Sequence, residues 1–203
     1  FRSWLFRTRD FIPEYDKIYC VSEPVRKQVI ARFPELADRT EVLLNFIDIK
    51  QVQRRSEEPL SDPQYTGELK FLTVGRASEE KGYDIAVQIT AELKKRGLRF
   101  KWFIIGDGRD LNKLRTMAKE YQVEQEIIFL GMRENPAPYV KSCDLYLQPS
   151  RHEGYPITIV EARSLQKVII ASDIPSMREQ IRDGENGYLC PLDEIGRASC
   201  RER

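Results

Sequence analysis

Residues 69–106 read "LKFLTVGRASEEKGYDIAVQITAELKKRGLRFKWFIIG", and the order of patterns in this stretch decides the fold. Two apolar, β-rich runs, "LKFLTVG" and "FKWFIIG", each close on a glycine. Between them, residues 83–96 carry a helical period that Gly97 stops. Strands of the buried type that alternate with helices belong to a parallel sheet covered on both faces. Right-handed crossovers then make the domain doubly wound.

The same alternation continues toward the C-terminus. Leu111, Leu114, Ala118 and Tyr121 stand at helical spacing, and "EIIFLG" follows as a strand. A short helix is expected over 138–143, then the strand "DLYLQPS", a helix beginning near Pro156, and the strand "KVIIAS". A helix over 176–181 and a last short strand at "GYL" complete the series. The expected fold is therefore α/β, a Rossmann-like doubly wound parallel sheet over residues 68–193.

Toward the N-terminus the pattern changes. Residues 51–67, "QVQRRSEEPLSDPQYTG", are polar, contain two prolines and end in glycine, which predicts a linker between domains. Before it, "DKIYCVS" reads as a strand and Ser22 as a helix N-cap, with Glu23 and Pro24 in the first turn. Val25, Val29, Ile30 and Phe33 make one face of that helix, and "EVLLNFI" reads as the next strand. Residues 1–50 are thus expected to belong to a second, partial Rossmann-like domain.

Composition narrows the function classes. The 203 residues are 41% hydrophobic, enough for a core, and 33 basic residues against 32 acidic ones give a net charge of +1. That balance carries no footprint for nucleic acid. No apolar run approaches the roughly 18 residues needed to cross a bilayer. The charged opening "FRSWLFRTRDFIPEYD" does not read as a secretory signal. Cys20, Cys143, Cys190 and Cys200 form no C-x-x-C pair; the first three read as packing residues in a reducing cytosol. With one histidine in the chain, no metal site is expected. Trp4 and Trp102 read as packing residues. Both ends look cut, and "EIGRASCRER" at 194–203 resembles a translated sequencing-library adapter, a non-native tail.

In open α/β sheets, ligands bind beyond the carboxyl ends of the strands. Three loops lie there. In "VGRASEEKG", Gly75 lets the backbone approach a ligand, while Arg76 offers a planar fork and Lys81 a mobile point charge. Such a pair suits phosphate oxygens, at roughly 1.5 to 3 kcal/mol per charged hydrogen bond; equally, both can be solvated cations paired with Glu79 and Glu80. "IIGDGRD" lacks the dinucleotide fingerprint and reads as a strand-to-helix turn. In "RHEGYPITIVEA", residues 151–162, Pro156 follows a tight turn at Gly154 and Tyr155 and starts a helix. The first-turn amides of Ile157 and Thr158 are then free to hold an anion. Glu153 precedes the helix and Glu161 sits inside an apolar run, where a carboxylate needs a reason. Both read either as acceptors for sugar hydroxyls or as carboxylates complementing the helix dipole. His152 reads as structural.

Taken in order, "VGR" with Lys81-Gly82, "IIGDG", "IIFLG", "PSRHEGYPITIVEA" and "DGENGYL" resemble the retaining glycosyltransferases of the GT-B fold. The nearest group includes the bacterial capsule, exopolysaccharide and lipopolysaccharide enzymes. The likeness spans residues 68–192, and the E-x7-E pair is its most specific part. It implies that residues 68–193 bind a nucleotide-sugar donor and that 1–50 end an acceptor-binding domain. By the same resemblance, Arg76 and Lys81 grip the donor diphosphate and stabilise it as leaving group. Glu153 contacts hydroxyls of the transferred sugar, and these three carry the chemistry. Gly75, Gly154 and the amides at Tyr155, Pro156–Ile157 and Thr158 line the donor, Glu161 takes the ribose, and Met132 and Arg133 lie near the base. Ile174-Pro175-Ser176 departs from the glycine-rich turn common in that group.

The resemblance further implies a UDP- or GDP-linked sugar as co-substrate, no other cofactor and no metal, with a glycan or lipid-linked acceptor. It implies cytoplasmic placement, with peripheral association at the inner face of the plasma membrane. Preorganised cations and amides suit a departing diphosphate. A hydrolase built on Glu153 and Glu161 would not need Arg76 and Lys81. A non-catalytic nucleotide-sugar-binding module and a GT-B relative such as a nucleotide-sugar epimerase are the other readings.

Overall fold

The computed structural model describes residues 15–192 and divides into two compact units, one ending at Phe46 and the other beginning at Ile47. Trp4, Cys200 and the tail at 194–203 lie outside the described residues.

The first unit is one β-α-β turn of chain. Strands β1 (Ile18–Cys20) and β2 (Thr40–Val42) pair in parallel, joined through helix α1 (Glu23–Arg32) and a 3-10 turn, Pro34–Arg39. Ser22 caps α1 by accepting from the Val25 amide at 3.4 Å, as its position in the sequence predicts. Leu36 is fully buried against Ile18 and Phe33. The strand expected over 41–47 is shorter than its composition suggests. The last rung runs from the Leu43 amide to the Cys20 carbonyl, after which β1 offers no neighbour among the described residues. Leu43, Leu44 and Phe46 are exposed.

The second unit opens with helix α2 (Ile49–Ser56), capped by Asp48, whose carboxylate accepts from the Gln51 amide at 3.0 Å. Residues 51–67 are therefore not a linker. Their first six residues are helical, α2 packs against later helices of the same unit, and Tyr65 is buried, donating its hydroxyl to the Tyr139 carbonyl at 2.9 Å. Polarity misled here because α2 carries only two apolar residues, Ile49 and Val52.

The main sheet has six parallel strands in the order β5-β4-β3-β6-β7-β8. They are β3 (Lys70–Val74), β4 (Lys101–Ile105), β5 (Ile127–Gly131), β6 (Leu145–Gln148), β7 (Val168–Ser172) and β8 (Tyr188–Cys190). Between them run α3 (Tyr83–Lys95), α4 (Leu111–Glu120), α5 (Ala137–Ser142), α6 (Ile157–Ser164) and the short α7 (Pro175–Arg178). Phe71 and Trp102 point to one face with Tyr83, Val87 and Leu114; Leu72 and Phe103 point to the other with Tyr146, Ile159 and Ile169. Helices cover both faces, which is why every second residue of β3 and β4 is not polar. Gly97, at φ +79°, ends α3.

Cys20 and Cys143 are buried and Cys190 half-buried, all three as free thiols. Burial pushes the Cys143 thiol up to about 12. Among the described residues, no helix is long and apolar enough to cross a membrane.

Candidate functional site

The strand order reverses direction at β3, where β4 and β5 lie on one side and β6, β7 and β8 on the other. A crevice at such a switch point is where doubly wound sheets bind ligands. Here it lies between the loop after β3 (residues 75–82) and the loop after β6 (residues 149–156). The two loops are in direct contact. Gly82, at φ +68°, presses so closely that a Cβ there would fall 2.0 Å from the Pro149 carbonyl oxygen. The amides of Arg151 and His152 both donate to the Glu80 carbonyl, at 2.8 and 3.3 Å. Arg151 also clamps Asp84 with bonds of 2.6 and 2.5 Å, which hold that carboxyl below the usual carboxylate range.

Across this junction Lys81 Nζ meets Glu153 Oε1 at 2.7 Å. The same oxygen accepts from Ser150 Oγ at 2.7 Å and from Gln148 Nε2 at 2.9 Å. Gln148 and Ser150 are fully buried, and the Glu153 side chain is 9% exposed. Three donors on one oxygen offset the loss of water around so buried a carboxylate. Lys81 is thus paired with Glu153, and Glu80 faces Arg109 at 3.7 Å, so the sequence-level pairing of Lys81 with Glu79 or Glu80 does not form. Arg76 is exposed, and among the described residues no carboxylate forms an ion pair with it.

Gly75 has a local packing reason of its own. A Cβ there would meet the Tyr83 hydroxyl at 3.0 Å and the Lys81 stem at 3.4 Å. Tyr83 is 1% exposed and, among the described residues, its hydroxyl has no hydrogen-bond partner. Burial drives its ionisation far up, helped by Tyr146 and the charge of Glu153.

The loop carrying Glu153 runs straight into α6. Pro156 occupies the N-cap with extended backbone (φ −68°, ψ 110°) and no side-chain cap, so the first turn keeps its amides. Glu161, one turn in, makes no ion pair among the described residues and stands apart from the Lys81–Glu153 cluster. Burial raises its pKa, and the charge of Arg55 on α2 pulls it partly back. Glu161 and Arg55 border a small cavity with Val52, Asn135 and Pro136. Arg55 was invisible from the sequence because α2 read as linker.

Arg133 behaves differently from expectation. Its guanidinium holds Asp62 Oδ2 through Nη2 at 2.7 Å and Nε at 3.1 Å, touches the Tyr139 hydroxyl at 3.1 Å, and folds back on the carbonyls of Leu130 and Met132. Burial pushes the Asp62 carboxyl up, but the bonds from Arg133, the Gln64 amide and Tyr139 outweigh it and hold it below its ordinary value. Asp62, Arg133 and Tyr139 line a cavity of about 360 Å³. The Arg133 side chain is therefore engaged in the fold, and what the loop offers outward is its backbone and the exposed Met132. His152 is exposed, and no cluster of three or more His, Cys, Asp or Glu residues with metal-holding geometry occurs among the described residues.

Comparison with known proteins sets this geometry in context. The family model described as glycosyl transferases, group 1, matches residues 55–198. An uncharacterized glycosyltransferase of Methanocaldococcus jannaschii is 29% identical over 88% of the chain and 43% of its own length. The lipopolysaccharide 1,6-galactosyltransferase of Salmonella typhimurium is 30% identical over 83% of the chain and 46% of its own length. The chain thus spans less than half of these relatives. Among solved structures, Anabaena HepE in complex with UDP and glucose superposes with a TM-score of 0.79 at 19% identity, covering 97% of this chain and 56% of that one. A likeness at that identity speaks for the fold, which is the α/β GT-B type expected from the sequence.

Proposed function

The chain belongs to the group 1 glycosyl transferases, and on that premise we propose that it binds a nucleoside-diphosphate sugar in the β3/β6 crevice for transfer, with retention, to a polysaccharide or lipid-linked acceptor. The observation that carries this reading is the Lys81–Glu153 pair at the switch point, beside the open first turn of α6.

Breaking a sugar–phosphate bond leaves negative charge on the departing diphosphate and positive charge on the sugar. Lys81, with one carboxylate partner, and Arg76, exposed at the rim, supply mobile and forked positive charge for the first. The α6 amides of Ile157 and Thr158 add fixed dipoles that need no reorganisation as charge develops. Glu153 is the acceptor for sugar hydroxyls, and Glu161, short of donors and half-buried, is the acceptor for the ribose. The loop at Met132 and Arg133 borders the base through backbone groups. In this proposal protein cations and amides stabilise the leaving group without a metal or further cofactor. A UDP or GDP sugar, an acceptor of the cell-envelope kind and a cytoplasmic setting at the inner membrane face complete it. The name of the Salmonella relative supports the acceptor class, and the chain's likeness to HepE supports the donor-binding fold.

Calorimetric titration with UDP, GDP and ADP tests the reading. One nucleotide should bind, and Lys81→Ala and Glu161→Ala should each weaken it by about tenfold, the worth of one charged hydrogen bond. Equal affinity in both variants and the unsubstituted chain would refute the assignment.

A further inference from the structure

In the proposed donor site, Glu153 has one charged partner, for which an arriving diphosphate would compete, and two neutral ones. Lys81 Nζ, Ser150 Oγ and Gln148 Nε2 all converge on Glu153 Oε1, at 2.7, 2.7 and 2.9 Å. An anionic diphosphate competes for Lys81, because an ammonium is drawn to both anions. It does not compete in the same way for a hydroxyl or an amide, which carry no net charge. With Lys81 turned to phosphate, a carboxylate 9% exposed would be left buried and unpaired unless neutral donors stay behind.

Those donors are themselves held from below. The Val74 amide donates to the Tyr146 hydroxyl at 3.3 Å, Tyr146 donates to Gln148 Oε1 at 3.3 Å, and Gln148 Nε2 also donates to Ser150 Oγ at 3.0 Å. Tyr146, Gln148 and Ser150 are all fully buried. The bond from Tyr146 also fixes which end of the Gln148 amide faces Glu153, since its oxygen is already occupied as an acceptor. Buried networks of this kind are rigid when satisfied. Glu153 Oε2 takes no hydrogen bond among the described residues and is left for another donor.

We propose that Gln148 and Ser150 are positioning residues for the sugar half of the donor: they hold the Glu153 carboxylate in its orientation after Lys81 leaves it. The inference rests on the donor-site reading above. Neither residue touches the diphosphate in this account; both act through Glu153. Their loss therefore weakens binding of a nucleotide sugar more than binding of the nucleotide alone, because only the sugar is held by the oriented Glu153 carboxylate.

The test is calorimetric titration of the 203-residue chain with UDP and UDP-glucose, and in parallel with GDP and GDP-mannose. The variants are Gln148→Met, which keeps the length and volume of the side chain, Ser150→Ala, and Ser150→Thr, which keeps the hydroxyl. Thermal melts establish that each folds. For the pair that the unsubstituted chain binds, Gln148→Met and Ser150→Ala should weaken the nucleotide sugar about tenfold and the nucleoside diphosphate by no more than about threefold, with Ser150→Thr close to unsubstituted. Equal losses on sugar and diphosphate would assign both residues to structure alone and overturn the inference, as would no loss on the nucleotide sugar. A folded, unsubstituted chain that binds neither pair would instead overturn the donor-site reading, and the inference with it.

Discussion

The loop after β3 and the loop after β5 both leave the carboxyl edge of the same sheet, and each brings a cation to a carboxylate: Lys81 to Glu153, and Arg133 to Asp62. In the second, the guanidinium is committed to Asp62, Tyr139 and two backbone carbonyls, and it ties the segment before β3 to the rim. In the first, Lys81 has one acceptor, and that acceptor is held independently by Gln148 and Ser150. The difference teaches that residue type at a rim loop does not identify a binding group. What distinguishes the two is how much of the cation's donor capacity the fold has already taken. A saturated pair holds structure together, while a singly held lysine can change partner at the arrival of an anion.

The comparison is broken most severely where the β3 loop meets the β6 loop. Gly82→Ala places a Cβ against the Pro149 carbonyl in left-handed backbone, and should cost about 3 kcal/mol. Urea denaturation measures it, and a loss below about 1 kcal/mol would mean the loops part easily and the site is not preformed.

Next comes the saturated pair. Asp62→Asn should cost about 2 kcal/mol, less than a wholly buried pair because Arg133 is 28% exposed. Since the folded Asp62 carboxyl lies below its unfolded value, this contribution is complete above about pH 4 and is lost as pH falls through the folded value. Denaturation curves of the variant and the unsubstituted chain should therefore separate at pH 7 and converge in acid. Nucleotide affinity should not move.

Lys81→Met inverts that profile. It should weaken nucleoside-diphosphate binding about tenfold, or roughly 1.4 kcal/mol, read by calorimetry. Unchanged binding would make Lys81 a second saturated pair and erase the contrast.

The smallest effect is expected at Glu161. Burial raises its folded pKa, so its charge opposes folding at neutral pH, and the opposition fades as pH falls through that raised value and is gone below the unfolded value near 4. Glu161→Gln should stabilise the chain by about 0.5 kcal/mol at pH 7 after allowance for its partial exposure, while binding nucleotide more weakly. A site that sacrifices stability for a ligand contact behaves this way.

Much of the architecture was legible because a sheet buried on both faces writes itself as apolar runs. "FLTV", "WFII" and "VIIAS" needed no further information. The same signal overstated β2, since Leu43, Leu44 and Phe46 are apolar without a strand beside them among the described residues. It missed α2, whose helical character rests on the Asp48 cap and little apolar area. In the site, Lys81 and Glu153 could be picked out by type, but their pairing joins residues 72 positions apart. Gln148 and Ser150 were hidden inside a stretch that reads simply as strand. Arg133 entered only through the family resemblance, while Asp62, its partner 71 positions earlier, sat in a polar segment with no period to betray it. Long-range partners decide whether a polar side chain is free, and a linear pattern does not carry them.

The central claim is that a nucleotide occupies the β3/β6 crevice and not the cavity beside Arg133. Mapping backbone amide chemical-shift changes while UDP is titrated into the chain, with GDP in parallel, tests it most directly. The account predicts the largest changes at residues 75–82 and 153–158, with Asp62 and Tyr139 little affected. Changes centred on Asp62, Arg133 and Tyr139, with Lys81 and Glu153 unmoved, would contradict it.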